Sequence, residues 1–344
     1  MCLLCPGMAI SNRVERMYVT NDTRTSGGPS DPPSAVDSDL KLVRLGDRMG
    51  LGTPIGGPCP SEHRRAARLR RMPRETHTQP IPPTRACIFC GRTPLTKEHL
   101  IGRWAGRFVD RERRNIFQRS DREGEPPQPG DTRRWQANSY DRQARVVCED
   151  CNGGWMSDLE TAVSLLLDPE ALDGRQLDPK EQALLATWAM KTALTMDAAQ
   201  SPHDRVIPFE VARRFGRDRQ LPDGAQVWMA SYTGGDDQIP AFAGLGIDLD
   251  DRQNPRRGWR DIAVSTFVVG PFVFQVFSAI RALGSTALER TFSPGPHIAR
   301  LWPIEDPAIW RHQPGLGGAD VIAFSEQITA SLRGSIVLSE PVGE

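Results

Sequence analysis

Two pairs of cysteines stand where they could grip one ion. Cys87-Ile88-Phe89-Cys90 is followed by Gly91, and Cys148-Glu149-Asp150-Cys151 is followed by Asn152, with 57 residues between the pairs. Two thiolates separated by two residues bind a metal from one tight turn, and two such turns complete a tetrahedral four-thiolate zinc site. The residue after the second cysteine of such a turn often needs a positive φ, which Gly supplies freely and Asn tolerates. Phe89 and Trp155 are placed to shield the sulfurs. The competing readings are unrelated buried thiols or a redox pair. A redox pair would sit in a thioredoxin-like βαβ pattern, which is absent. The expectation is one structural zinc on Cys87, Cys90, Cys148 and Cys151. Cys2 and Cys5 form a third CxxC beside Pro6, which chance explains, and Cys59 is unpaired.

Between the pairs lies Leu95-Thr96-Lys97-Glu98-His99-Leu100-Ile101, a short strand-like run. Phosphodiester hydrolysis needs a water made nucleophilic and a leaving oxygen stabilised. A neutral His takes a water proton near pH 7. A hard divalent ion held by carboxylate and amide oxygens stabilises charge on phosphate and leaving group. Adjacent residues of a regular strand point to opposite sides. Glu98 and His99 can therefore serve one site only at a strand end or a bulge. The plainer alternatives are a surface dipeptide, His99 as a zinc ligand, and Asn152 as a simple turn residue.

A CxxC pair, an acid followed by His, then a CxxC pair followed by Asn resembles the HNH or His-Me finger endonuclease family, and within it the zinc-bearing, phage endonuclease VII type. The resemblance covers roughly residues 85–160. It implies a ββα-metal fold and metal-dependent cleavage of DNA by a phage or bacterial enzyme. It further implies His99 as general base, Glu98 and Asn152 as ligands of a catalytic magnesium or manganese ion, and the four cysteines as zinc ligands remote from the chemistry. This chain departs from the pattern in having Glu98 where Asp or His is commoner, and Asn152 where His is frequent. The long span from His99 to Asn152 implies an insertion. A zinc-stabilised nucleic-acid-binding module without turnover, or an RNase or toxin of the same fold, are the rival functions.

That insertion is rich in arginine, including Arg103, Arg107, Arg111 and Arg114, with Trp104, Phe108, Phe117 and Trp135 interleaved. Arg103 to Arg114 reads as a helix with Trp104, Phe108 and Arg111 on one stripe. Such a surface neutralises phosphates and can reach a groove, so these four arginines are expected to contact nucleic acid. Residues 85–160 carry 14 Lys or Arg against 12 Asp or Glu, and residues 161–344 carry 17 against 23. A polyanion should therefore meet the front of the molecule.

The elements that must position these residues divide the 344-residue chain in three. Residues 1–84 hold 11 Pro and 8 Gly with scattered apolar residues. That composition predicts a mostly disordered extension, with Ser61 to Arg74 as a short basic helix at most; Met72 could even be the true start. Residues 85–160 form the nuclease-like module. Residues 161–344 are expected to be an α+β region of unknown role. In it, Asp178-Pro179-Lys180-Glu181 supplies an N-cap, a first-turn Pro and a capping-box acid for a core helix to about Ala199. Strand patterns follow at Gln226 to Tyr232, Ile262 to Val269 and Pro271 to Ile280, the last two meeting at a Gly270-Pro271 turn. The fold class is α+β. Zero net charge excludes a uniformly basic coat protein, and the absence of an 18-residue apolar run excludes a membrane-spanning helix. Seven cysteines, odd and sparse, fit a disulfide-stapled secreted scaffold poorly, so a cytoplasmic location is expected.

Overall fold

A computed structural model of the chain describes residues 10–20, 86–108, 114–122, 132–137, 142–200, 205–234, 238–249, 262–279, 297–321 and 323–325. All belong to one compact unit formed by Met1–Asp22 and Thr78–Glu344. The described residues are mixed helix and sheet, as expected. The strands are β1 (Ile10–Thr20), β2 (Leu95–His99), β3 (Arg114–Arg122), β4 (Thr132–Ala137), β5 (Gln143–Cys148), β6 (Gln226–Ser231), β7 (Gln238–Leu249), β8 (Ile262–Val269), β9 (Phe272–Ala279) and β10 (Ile298–Trp302). Eight of them make an antiparallel sheet in the order β10-β6-β9-β8-β7-β1-β3-β4, and β2 pairs β5 in a separate two-stranded sheet.

The β8–β9 hairpin forms where expected. Val269 pairs Phe272 across a two-residue turn whose Gly270 has φ +56°, the sign such a hairpin asks of its first turn residue. Phe267, Phe272 and Phe274 face the core under the long helix α4 (Pro179–Ala198), while Val264, Val273 and Phe277 fill a second cluster on the opposite face. Helix α4 starts as its sequence dictates. The Asp178 carboxylate accepts the Lys180 and Glu181 N–H groups, and Glu181 reaches back to the Asp178 N–H at 3.0 Å. Buried residues surround the helix, with Trp188 against Phe267 and Phe274 at 5.9 and 5.2 Å between centroids.

Three expectations need correction. First, Ile10–Thr20 is a strand with neighbours on both edges, β7 and β3, not part of a structureless extension. Its partners lie far along the chain, and ladder hydrogen bonds are made by backbone groups whatever the side chain. A local apolar period was therefore not needed. The Ser61 to Arg74 segment and the Cys2, Cys5 and Cys59 positions lie outside the described residues. Second, the helix expected over Arg103 to Arg114 stops after one short 3-10 helix, Arg103–Phe108, and Arg114 opens β3. Third, residue 160 is no domain boundary. Helix α2 (Ser157–Leu166) crosses it, and one apolar core runs from Cys87 to Trp310. A knuckle module this small lacks surface for a core of its own, and α4 and α5 (Phe209–Asp218) supply it.

Candidate metal centre and adjoining site

The four cysteines converge. Their sulfurs all lie within 4.8 Å of one another, Cys90 and Cys148 at 3.3 Å, and all four are free thiols. A tetrahedral zinc–thiolate centre has sulfurs about 3.8 Å apart, so the donor set fits a zinc-like ion. The first turn has the expected knuckle geometry. Gly91 has φ +77°, its N–H donates to the Cys87 carbonyl at 2.8 Å, and the Cys87 N–H donates to the Arg92 carbonyl at 2.9 Å. A Cβ at Gly91 would meet only the Arg213 side chain, no closer than 3.8 Å, so backbone conformation is what demands Gly there. The second turn differs from expectation. Asn152 is right-handed helical, at φ −65° and ψ −57°. The chain passes from β5 straight into α1 (Glu149–Cys151) and a π-helical turn, Asn152–Met156. Cys148, extended at φ −89° and ψ 167°, is the N-cap of α1 and Cys151 lies in its first turn, so the two sulfurs meet without a left-handed residue.

Cys87, Cys148 and Cys151 are buried and Cys90 is exposed; Trp155 reaches the Cys151 sulfur, and Phe89 packs on Trp155. Phe89 meets Trp155 edge-on at 5.1 Å, and both meet Phe215 of α5 at 6.2 and 6.1 Å. Gly216 seats α5 against Phe89 so closely that a Cβ would come within 2.5 Å of it. Burial pushes the Cys151 thiol well above its ordinary range. The Trp155 indole N–H, buried with no oxygen acceptor, works against that by favouring the thiolate. At Cys90 burial also resists ionisation, but the Arg92 backbone N–H and the neighbouring thiols bring it down to about 7.

Strand β2 carries the acid and the histidine on different sides. The β2–β5 register slips between Thr96 and Glu98, ahead of the dipeptide, so Glu98 and His99 stay in consecutive register opposite Ala144 and Gln143, and it is only as the strand's last residue that His99 meets the condition set by the sequence. The Gln143 amide stands 2.8 Å from His99 Nε2. Glu98 is buried at 8% exposure, with Oε1 3.9 Å from Lys191 Nζ on α4. Burial raises its carboxyl to about 7, Lys191 opposes the rise and the Glu160 carboxylate adds to it. Asn152 reaches back to β2, its Nδ2 donating to Thr96 Oγ1 and to the Lys97 carbonyl, each at 3.3 Å. A carbonyl can only accept, so the amide nitrogen must face the strand and Oδ1 faces away.

Two residues of this site had not been singled out. Glu160, on α2, accepts hydrogen bonds from the indoles of Trp104 and Trp188 and from Lys191, whose ammonium is fully buried. Gly102 lets the network close, since a Cβ there would strike Glu160 Oε2 and Trp104. A signal existed for Lys191: it interrupts the apolar run Trp188 to Met196 in a helix with no polar face, and a fully buried lysine must be paired. Nothing in the sequence marked Glu160.

The arginines divide. Arg103 is exposed. Arg107 donates to the Ser164 and Leu167 carbonyls at 2.7 Å, closing the end of α2, and stacks over Phe108 at 4.7 Å. Arg111 lies outside the described residues, and Arg114 is described by its backbone alone. No helix among the described residues is long and apolar enough to cross a membrane. Comparison with protein-family models, with curated proteins and with solved structures finds no match to this chain.

Proposed function

We propose that this chain is a metal-dependent HNH-type endonuclease hydrolysing phosphodiester bonds in DNA, with a structural zinc on its four cysteines. One observation carries the reading. Two antiparallel strands are followed directly by a helix; His99 ends the first strand, and Asn152, in the first helical turn, is tied back to that strand. This is the order a ββα-metal unit requires, with the four thiols clamping its open end.

In this reading His99 is the general base. The Gln143 side-chain amide N–H, 2.8 Å from Nε2, donates to that nitrogen and orients the imidazole ring. Asn152, through its outward Oδ1, and Glu98 would hold the catalytic magnesium or manganese ion. That ion would supply charge stabilisation at the phosphate and the leaving oxygen. Arg103, exposed just beyond His99, contacts the backbone phosphates, whereas Arg107 serves the fold.

His99→Ala should lower magnesium-dependent nicking of plasmid by about 10²–10⁴-fold, with zinc content and DNA affinity unchanged. Wild-type cleavage by the variant would refute the mechanism. Loss of zinc and fold together would make His99 structural. Labelled RNA and DNA compared side by side would identify the substrate. A second reading, a zinc-stabilised nucleic-acid-binding module without turnover, draws on the burial of Glu98 against Lys191, an arrangement a purely structural ion pair would also adopt.

A further inference from the structure

The knuckle, the strand pair and the first helical turns contain every residue the proposed mechanism names, yet the strongest charges beside Glu98 come from elsewhere. Lys191 stands in the middle of α4, in the region whose role the sequence left open. Its ammonium is fully buried and lies between two carboxylates, in close contact with Glu160 and 3.9 Å from Glu98 Oε1. Glu160 is fixed from the other side by the indole N–H groups of Trp104 and Trp188. Trp188 is itself wedged among Phe267, Phe274 and Trp104. The cation is thus held by a carboxylate that has two further donors of its own, while its contact to Glu98 is the longer one.

We propose that Lys191, anchored by Glu160, is a positioning residue for the nuclease site: it holds Glu98 by one carboxylate oxygen and leaves Oε2 to face the catalytic ion. This rests on the endonuclease reading. Helix α4, in the region whose role the sequence left open, is therefore part of the nuclease site in this reading.

The full-length zinc-loaded chain allows the test. Lys191→Met strands two buried carboxylates and is liable to misfold. The informative variant is the joint replacement Glu160→Leu with Lys191→Met, because removing both partners of a buried ion pair for apolar groups is often neutral for stability. Manganese alone, followed by electron paramagnetic resonance, reports ion binding, and plasmid nicking reports turnover. The joint variant also takes the acceptor from the Trp104 and Trp188 indoles, so it should melt below the wild type yet keep its zinc, and bind manganese roughly tenfold more weakly, with half-maximal cleavage at correspondingly higher metal. Glu98→Gln should lose the same manganese site. Should the joint variant fold poorly, the ¹⁵N resonance of the Lys191 ammonium in the wild-type chain must shift on adding magnesium.

The outcomes separate cleanly. Wild-type manganese binding and cleavage in the joint variant, with Glu98→Gln impaired, overturn the role of Lys191 and leave the nuclease reading standing. So does an unmoved Lys191 resonance at saturating magnesium. A wild-type chain that binds no manganese and cuts no DNA overturns both.

Discussion

The hairpin β2–β5 is pinned at two places by buried polar groups, and the two are built on opposite principles. At one end four thiols from two short turns gather within 4.8 Å, a donor set that fits a zinc-like ion. Further along, the charges are already in the chain: the Lys191 ammonium sits between the Glu98 and Glu160 carboxylates. The first cluster is local: each turn carries its own pair of donors at fixed spacing. The second is assembled from β2, α2 and α4, three elements that meet only in the folded molecule. A metal site can thus be read from spacing, while an internal ion network needs the tertiary structure. The two should also fail differently when damaged.

The largest effect should come from the thiol cluster. Cys87→Ser should abolish metal binding and unfold the knuckle, because folding and structural zinc binding are one equilibrium worth about 10–16 kcal/mol in small zinc peptides. Mass spectrometry of the native protein and a thermal melt check this, and a metal-free variant with an unchanged melt would contradict it. The ion network should give less. Lys191→Met alone should cost about 3–5 kcal/mol by urea denaturation, since it leaves buried carboxylates unmatched, and part of that should return in the joint variant with Glu160→Leu. If the single variant is as stable as the wild type, the two clusters are not equivalent anchors at all.

Smaller changes sharpen the comparison by loosening each cluster from its support. Gly216→Ala would drive a methyl to 2.5 Å from Phe89 Cβ and 2.7 Å from its carbonyl. Overpacking of this kind costs about 1–3 kcal/mol, and the loss should appear as weaker zinc retention against a chelator. Asp178→Ala removes the N-cap of the helix that carries Lys191. It should cost about 1 kcal/mol, visible in denaturation but not in zinc retention. A zinc loss here would mean the two clusters are coupled through the core more tightly than the geometry suggests.

What could be read in advance follows the same division. The Cys pairs, the Gly91 turn, the capping box at Asp178 and the β8–β9 hairpin were all legible, because each depends on residues a few positions apart. The strand end at His99 was foreseen as one way to serve the chemistry; the register slip of β2–β5 falls before Glu98 and does not break the alternation between the two residues. The left-handed Asn152 was not found, because an extended Cys148 at the N-cap of α1 solved the same problem another way. Arg107 looked like a phosphate contact by composition. Only the fold reveals that the end of α2 needs a donor for its last carbonyls and that Arg107 supplies it. The β1 strand and the Glu160 partner of Lys191 were invisible for one reason: their meaning resides in partners over a hundred positions away or in another layer.

The place of β1 in the sheet has a consequence for how this chain is made. During synthesis Ile10–Thr20 leaves the ribosome with neither neighbour yet built; β3 follows much later, and β7 later still. Until then both of its edges present unpaired backbone donors and acceptors, the surface on which foreign strands pair. Among the described residues, the β3–β4 hairpin meets the later strands of its sheet only through β1. The sheet therefore cannot be completed in the order of translation. Its closure is a long-range event of high contact order, which slows folding, and the nascent N-terminal strand is the segment most in need of a chaperone's protection.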